Sequence, residues 1–159
     1  MRLETRSARP EDTAVVFGFI RELAEYERLS DLVSATPDDI AAALFGPAPR
    51  AFCEIAEIDG EPVGFALWFY NFSTFVGRCG LYLEDLYVRP SARGSGAGRA
   101  LLRRLAQRCV AEGLGRFEWS VLDWNAPAIG FYDRLEAASL DDWRIRRLSG
   151  EALKRLAEG

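Results

Sequence analysis

The sequence predicts an α/β domain, a mixed and mostly antiparallel central sheet flanked by helices. Three observations carry this. The 159 residues suit a single domain spanning 1–159 and leave little for a second. Apolar residues switch along the chain between the alternation of strands and the three-to-four spacing of helices. The resulting order is strand, two helices, three antiparallel-looking strands, helix, strand, helix, strand.

Leu3 to Arg6 opens a strand. Arg9-Pro10-Glu11-Asp12 precedes a helix whose apolar face carries Val15, Val16, Phe19, Ile20 and Leu23. A second helix starts at Thr36-Pro37-Asp38-Asp39, with Thr36 as N-cap and Pro37 in its first position, and ends near Gly46-Pro47. Ala51 to Ile58 and Pro62 to Tyr70 read as strands joined by the hairpin dipeptide Asp59-Gly60. Asn71 to Gly77 reads as a loop, and Leu81 to Val88 as a strand stopped by Arg89-Pro90. The next helix turns Leu101, Leu102, Leu105, Cys109 and Val110 inward and Arg99, Arg103, Arg104 and Arg108 mostly outward, closing at Gly113 to Gly115. Phe117 to Leu122 is a strand, Asn125 to Leu135 a helix capped by Asn125, and Asp142 to Leu148 a last strand before a short terminal helix.

Composition removes several kinds of chemistry. With no histidine, Ser-His-Asp and Cys-His catalysis, H-E-x-x-H metal sites and any histidine base are excluded. Cys53, Cys79 and Cys109 are an odd number without C-x-x-C spacing, so neither a disulfide framework nor a zinc site is expected. They read as buried small hydrophobes, and no metal is expected. The net charge of −4 disfavours nucleic acid as a partner. It is compatible with a cationic substrate, and equally with a merely soluble surface. No apolar run approaches the ~20 residues of a membrane span. Met1 to Arg6 lacks the apolar stretch of a secretory signal. No membrane association and a cytoplasmic location are therefore expected.

The segment Arg93-Gly94-Ser95-Gly96-Ala97-Gly98-Arg99 follows a strand and opens a helix. Glycine admits close backbone approach and positive φ. Helix-start amides are unpaired and attract anions. The segment is not a Walker A loop, which needs G-K-[ST], and its alternate glycines do not fit G-x-G-x-x-G. On the glycines alone, a phosphate cradle and a tight packing turn are equally compatible.

After a strand ending in Val88-Arg89-Pro90, Arg93 to Gly98 is similar to the Q/R-x-x-G-x-G/A acyl-CoA signature of the GNAT acetyltransferase superfamily. Further segments resemble its diamine (spermidine/spermine- and thialysine-type) acetyltransferases: Leu81-Tyr82-Leu83-Glu84-Asp85-Leu86-Tyr87-Val88, Trp124-Asn125-Ala126-Pro127-Ala128-Ile129-Gly130-Phe131-Tyr132, Glu22-Leu23-Ala24-Glu25-Tyr26-Glu27 and Trp143-Arg144. The resemblance implies a GNAT fold, a homodimer, and acetyl transfer from acetyl-CoA to the primary amine of a small cationic substrate by direct attack. A peptide amine as acceptor, or a non-catalytic acyl-CoA-binding module, is the alternative. It further implies that the pantetheine arm follows Leu86, Tyr87 and Val88, that the segment from Arg93 onward binds the cofactor, its pyrophosphate meeting the amides of Gly94, Ser95, Gly96, Ala97, Gly98 and Arg99, and that Asn125 hydrogen-bonds the arm.

Tyr132, seven residues from Asn125, shares its helix face; by spacing it is a core aromatic, and by resemblance the proton donor to the leaving thiolate. Glu84 and Asp85 are adjacent in a strand and point to opposite faces. Glu84 is expected beside Tyr82, Leu86 and Val88, where partial burial would raise its pKa. The resemblance aligns it with the catalytic base; a salt-bridged carboxylate, or one attracting the ammonium group, fits the residues as well. Asp85 is expected to anchor structure or substrate. Tyr26 and Glu27 align with residues lining the amine site. Ser73 and Phe75 stand where polyamine enzymes carry an acidic residue and a tryptophan, so a shorter amine, such as thialysine, another lysine-like amino acid or a small diamine, fits at least as well as a polyamine. Glu136 replaces a common glycine, a change expected to touch only the local turn.

Overall fold

A computed structural model describes residues 1–159, which divide into two compact units, Met1–Leu122 and Asp123–Gly159. The first unit contains β1 (Leu3–Ser7), α1 (Thr13–Tyr26), α2 (Pro37–Phe45), β2 (Phe52–Ile58), β3 (Glu61–Ser73), β4 (Arg78–Val88), α3 (Ala97–Glu112) and β5 (Phe117–Trp119). The five strands form one sheet in sequence order. Neighbours from β1 to β4 are antiparallel, and β5 runs parallel to β4. The mixed sheet expected from the sequence is therefore present. Asp59 and Gly60 both have positive φ, as a two-residue hairpin requires. The β3–β4 hairpin is longer than expected, because Asn71 to Ser73 continue the ladder with Cys79, Gly80 and Arg78.

Strand alternation divides the core. On one face, Cys53, Ile55, Phe65 and Tyr87 meet Val16 and Phe19 of α1 and Leu44 of α2, with the Phe19 and Phe65 rings stacked at 5.5 Å. Thr36 caps α2 reciprocally with Asp39. On the other face, α3 supplies Leu101, Leu102 and Leu105, all buried. Glu54 also points there and is 2% exposed. That buried carboxylate explains a departure from the expected helix face. It draws in Arg104, whose Nε donates to it, and Arg108, 3.7 Å away, since a buried charge needs a partner. Val110, expected inward, is exposed instead. At the start of the chain, Arg6 forks onto Asp12 at 2.7 and 2.9 Å and pairs with Glu57, fixing β1 to the entry of α1.

The second unit contains α4 (Ala126–Asp133) and α5 (Gly150–Glu158). Asn125 caps α4 by accepting the Ala128 N–H at 3.3 Å. The strand expected over Asp142–Leu148 is absent. Trp143, Ile145 and Leu148 are exposed there, and a strand exists only where a ladder satisfies its backbone; this stretch has none. The expected strand Phe117–Leu122 likewise shortens to Phe117–Trp119, the residues that pair with β4.

Candidate active site

The site is built on an irregularity in β4. Leu67 pairs with Asp85, but the next residue of β3, Trp68, pairs with Leu83. Glu84 is thus an extra residue, a β-bulge. Adjacent β3 residues face opposite sides, so Leu83 and Asp85 do too, although they are two apart in sequence. Asp85 turns to the α1 side, two residues from Tyr87 on the same face. The bulge corrects the sequence expectation for Glu84: it does not share one face with Tyr82, Leu86 and Val88, and its side chain is exposed. Partial burial falls on Asp85 instead.

The electrostatics follow that placement. Burial, reinforced by the negative charges of Glu84 and Glu27, pushes the Asp85 carboxyl from an ordinary 3.8 up to about 7. Burial also raises Glu27. Glu27 caps the end of α1, and Tyr26, its neighbour, packs against the core cluster containing Tyr87. Tyr26, Glu27, Glu84 and Asp85, chosen separately from the sequence, therefore form one acidic corner with an aromatic wall.

Beyond the bulge β4 loses one neighbour. Its ladder with β5 covers only Leu81, Leu83 and the residue between them, while its ladder with β3 continues to Val88. From Glu84 to Val88 that edge has no strand partner, and apart from the Val88 carbonyl, which accepts from Arg93 Nε at 3.1 Å, its groups are what an extended ligand arm needs for strand-like hydrogen bonds. This stretch contains Leu86, Tyr87 and Val88.

The open edge leads into the glycine segment. Gly94 has φ +82° and Gly96 φ +90°, a left-handed conformation that favours glycine. A Cβ added at Gly94 would meet nothing within 4 Å, so open space lies beside this backbone. The first backbone bond closing onto α3 is Ala100 N–H to Gly96 O, 2.9 Å, and the amides before it face the helix end. Ser95 Oγ accepts the Ala97 N–H at 3.3 Å. Gly98 and Arg99 complete this first turn. Ser95 N–H is engaged by the Ala92 carbonyl at 3.3 Å, as Ala97 N–H is by Ser95 Oγ, so an anion at this turn would be met by the amides of Gly94, Gly96, Gly98 and Arg99. The Arg93 side chain does not point there. Its Nε donates to the Val88 carbonyl at 3.1 Å, and its guanidinium lies over the Tyr26 ring, 4.9 Å from the centroid. Nothing in the sequence pattern signalled that orientation.

Of the remaining residues, Tyr132 lies in α4, partly buried, with its ring 5.6 Å from that of Phe131. Asn125 caps the same helix. Cys53 is buried, and burial pushes its thiol up, away from a nucleophilic thiolate. Cys79, expected to be buried, is exposed: it pairs with Phe72 near the outer end of the hairpin, where Phe72 is exposed as well. No group of three or more His, Cys, Asp or Glu side chains is arranged to hold a metal ion. A concavity of about 590 Å³ on α1, lined by Phe17, Arg21, Glu25 and Val33 among others, includes none of the predicted site residues.

Residues 17–136 match the acetyltransferase (GNAT) family model. The chain is 39% identical to a thialysine N-epsilon-acetyltransferase of Sus scrofa, an alignment covering 96% of this chain and 95% of that protein. It is 30% identical to an L-ornithine N5-acetyltransferase of Arabidopsis thaliana, covering 94% and 85%. Among solved structures, an integron cassette protein from V. cholerae superposes with a TM-score of 0.83 at 26% identity, covering 100% of this chain and 99% of that one.

Proposed function

The chain belongs to the GNAT acetyltransferase family, and we propose that its acceptor is the primary amine of a small cationic molecule, a thialysine- or ornithine-like amino acid or a short diamine. The observation carrying this reading is the acidic corner of Glu27, Glu84 and Asp85 beside the open edge of β4. The similarity to acetyltransferases named for thialysine and ornithine supports it.

Acetyl-CoA, when bound, supplies the activated acetyl thioester. The amides of Gly94, Gly96, Gly98 and Arg99 hold its pyrophosphate, and the backbone of Leu86 to Val88, with Asn125, holds the pantetheine arm. Glu27 and Glu84 attract the substrate ammonium group. Asp85 accepts its proton: a carboxyl near pH 7 is matched to that task, and this assignment takes the base role expected for Glu84. The amine then attacks the acetyl carbon directly; as the C–S bond breaks, the Tyr132 hydroxyl gives its proton to the departing sulfur, and the second proton lost by the nitrogen returns through solvent to the tyrosine oxygen.

The proposal includes a homodimer in the cytoplasm. Exposed Trp143, Ile145 and Leu156 give the chain apolar surface for association. No helix is long and apolar enough to cross a membrane.

The test is thiol release from acetyl-CoA with thialysine, ornithine, lysine, diamines, spermidine and peptides as acceptors. Turnover is expected with the short amines and not with peptides. Turnover confined to peptides, or none with any small amine, would overturn the reading.

A further inference from the structure

The indole N–H of Trp68 is a buried donor without an acceptor. Trp68 is 1% exposed, and its Nε1 is the one buried side-chain nitrogen or oxygen that makes no hydrogen bond. Buried polar groups are nearly always paired, and an unpaired donor is costly. The polar groups around it are all committed. Glu54, on the same face of the sheet, takes Arg104, Arg108 and Ser7, and the Tyr70 hydroxyl donates to Glu112 at 2.9 Å. Only the indole is left over.

Trp68 is also a wall of a cavity of about 170 Å³, which forms where β1 stops. The last rung of β1 is Ser7 with Glu54, and the Ala8 N–H closes onto the Cys53 carbonyl at 2.9 Å. One residue earlier, Phe52 pairs with Trp68 of β3 and has no β1 partner. Leu44 and Phe45, the end of α2, line the gap. The walls are aromatic: Phe52 stacks on Trp68 at 4.7 Å, and Tyr70 stands edge-on to them at 5.6 and 5.0 Å. The volume suits one six-membered ring, since an apolar cavity of about 150 Å³ holds benzene. The carboxylates here already have guanidinium partners, Glu54 with Arg104 and Arg108, and Glu112 with Arg108, so the cavity takes a neutral ligand. Arg108 lines it as well. Its guanidinium lies 5.0 Å from the Trp68 ring centroid and reaches Glu54 and Glu112 at 3.7 and 3.5 Å, long for charged hydrogen bonds, so this wall can shift as a ligand reaches the indole nitrogen.

We propose that this cavity is a second binding site, for a neutral molecule with one aromatic ring and an oxygen that accepts the Trp68 N–H. The ring packs among Phe45, Phe52 and Tyr70, and the oxygen satisfies the left-over donor. The site is separate from the acidic corner. Leu67, paired with Asp85, and Trp68 are adjacent in β3 and face opposite sides of the sheet.

Phenol and toluene, matched in size and differing in the oxygen, test this on the full chain. The protein has four tryptophans, hence four indole N–H signals in a nitrogen-15 NMR spectrum. Trp68→Phe identifies the Trp68 signal. Should that variant fail to fold, Trp119→Phe, Trp124→Phe and Trp143→Phe identify it by elimination. Phenol should move the Trp68 signal downfield and saturably, leaving the other three in place. By calorimetry, wild type should bind phenol about fivefold more tightly than toluene, the effect of one hydrogen bond. Trp68→Phe keeps a ring and loses the N–H, so it should bind the two equally. A Trp68 signal that stays in place at millimolar phenol would overturn the inference, as would four signals moving alike, the mark of adsorption to the surface. Equal affinity of wild type for phenol and toluene would overturn the assigned ligand class, and so would a preference for phenol that survives in Trp68→Phe.

Discussion

Leu83 and Trp119 form the last rung of the β4–β5 ladder. β4 continues to Val88 with one edge unpaired, so its remaining amides on that side have no protein acceptor from β5. If the pantetheine arm lies there, it supplies the missing partners. Hydrogen exchange followed by mass spectrometry should show peptides covering 84–88 slowing when CoA is added, together with those covering 94–99. Peptides from β1 and β2 should change little. Unchanged exchange over 84–88 at saturating CoA would place the arm elsewhere.

Glu136 has φ +61°, a left-handed conformation costing an L-residue roughly 1 kcal/mol or more. It follows α4, where Glu136 N–H bonds Asp133 O at 3.0 Å and Ala137 N–H bonds Tyr132 O at 3.3 Å. Such helix ends favour glycine. Glu136→Gly should therefore stabilise the protein by ~1 kcal/mol, raising Tm by about 2–4 °C. A lower Tm would show that the Glu136 side chain contributes more than its backbone strain costs.

The strands of the first unit were legible because each alternates or is bounded by turn residues, as Asp59-Gly60 bounds β2 and β3. The bulge was not. Leu81, Leu83, Asp85 and Tyr87 share one parity, and three of them are apolar, so nothing breaks the apparent alternation at Glu84. Only the pairing with Leu67 and Trp68, a long-range fact, reveals the change of face. That is why the sequence pointed to both carboxylates yet assigned the buried environment to the wrong one. Asp142 to Leu148 failed for a related reason: its apolar pattern suits a strand, but a strand also needs a neighbour. The turn formed by the glycine segment was legible because it resides in backbone conformation, and the positive φ of Gly94 and Gly96 is announced locally by glycine. The side chain of Arg93 was not, since its ring partner Tyr26 comes from α1, far off in sequence.

Tyr132→Phe removes one hydroxyl and keeps the ring that packs beside Phe131. If that hydroxyl protonates the departing thiolate, kcat should fall about 100-fold, within the range for loss of a general acid. The Kd for CoA, measured by calorimetry, should stay within about twofold. A variant with undiminished kcat would leave Tyr132 a packing residue. A variant with weakened CoA affinity and normal kcat would make it a binding residue.

Asp85 gives the sharpest pH test because its two consequences have opposite signs. For catalysis the carboxylate must be deprotonated to accept the amine's proton. kcat/KM should therefore rise with pH through a limb near 7, the value to which burial and the charges of Glu84 and Glu27 push it. Asp85→Asn should abolish that limb and lower turnover about 100-fold or more. Glu84→Gln removes a like charge, lowers the Asp85 pKa and should move the limb to lower pH. A limb that survives Asp85→Asn and disappears in Glu84→Gln would return the base role to Glu84. For stability the folded-state pKa is raised above the unfolded value, so the folded state holds the proton more tightly. The contribution of Asp85 is then fully present below about pH 4 and is lost as pH rises through about 7. Asparagine cannot ionise and escapes that loss. The Tm advantage of Asp85→Asn over wild type should thus be larger at pH 8 than at pH 5, by about 3 °C or more. A Tm difference that stays constant between those pH values would mean that Asp85 titrates as an ordinary carboxylate and has no proton-accepting range near neutrality.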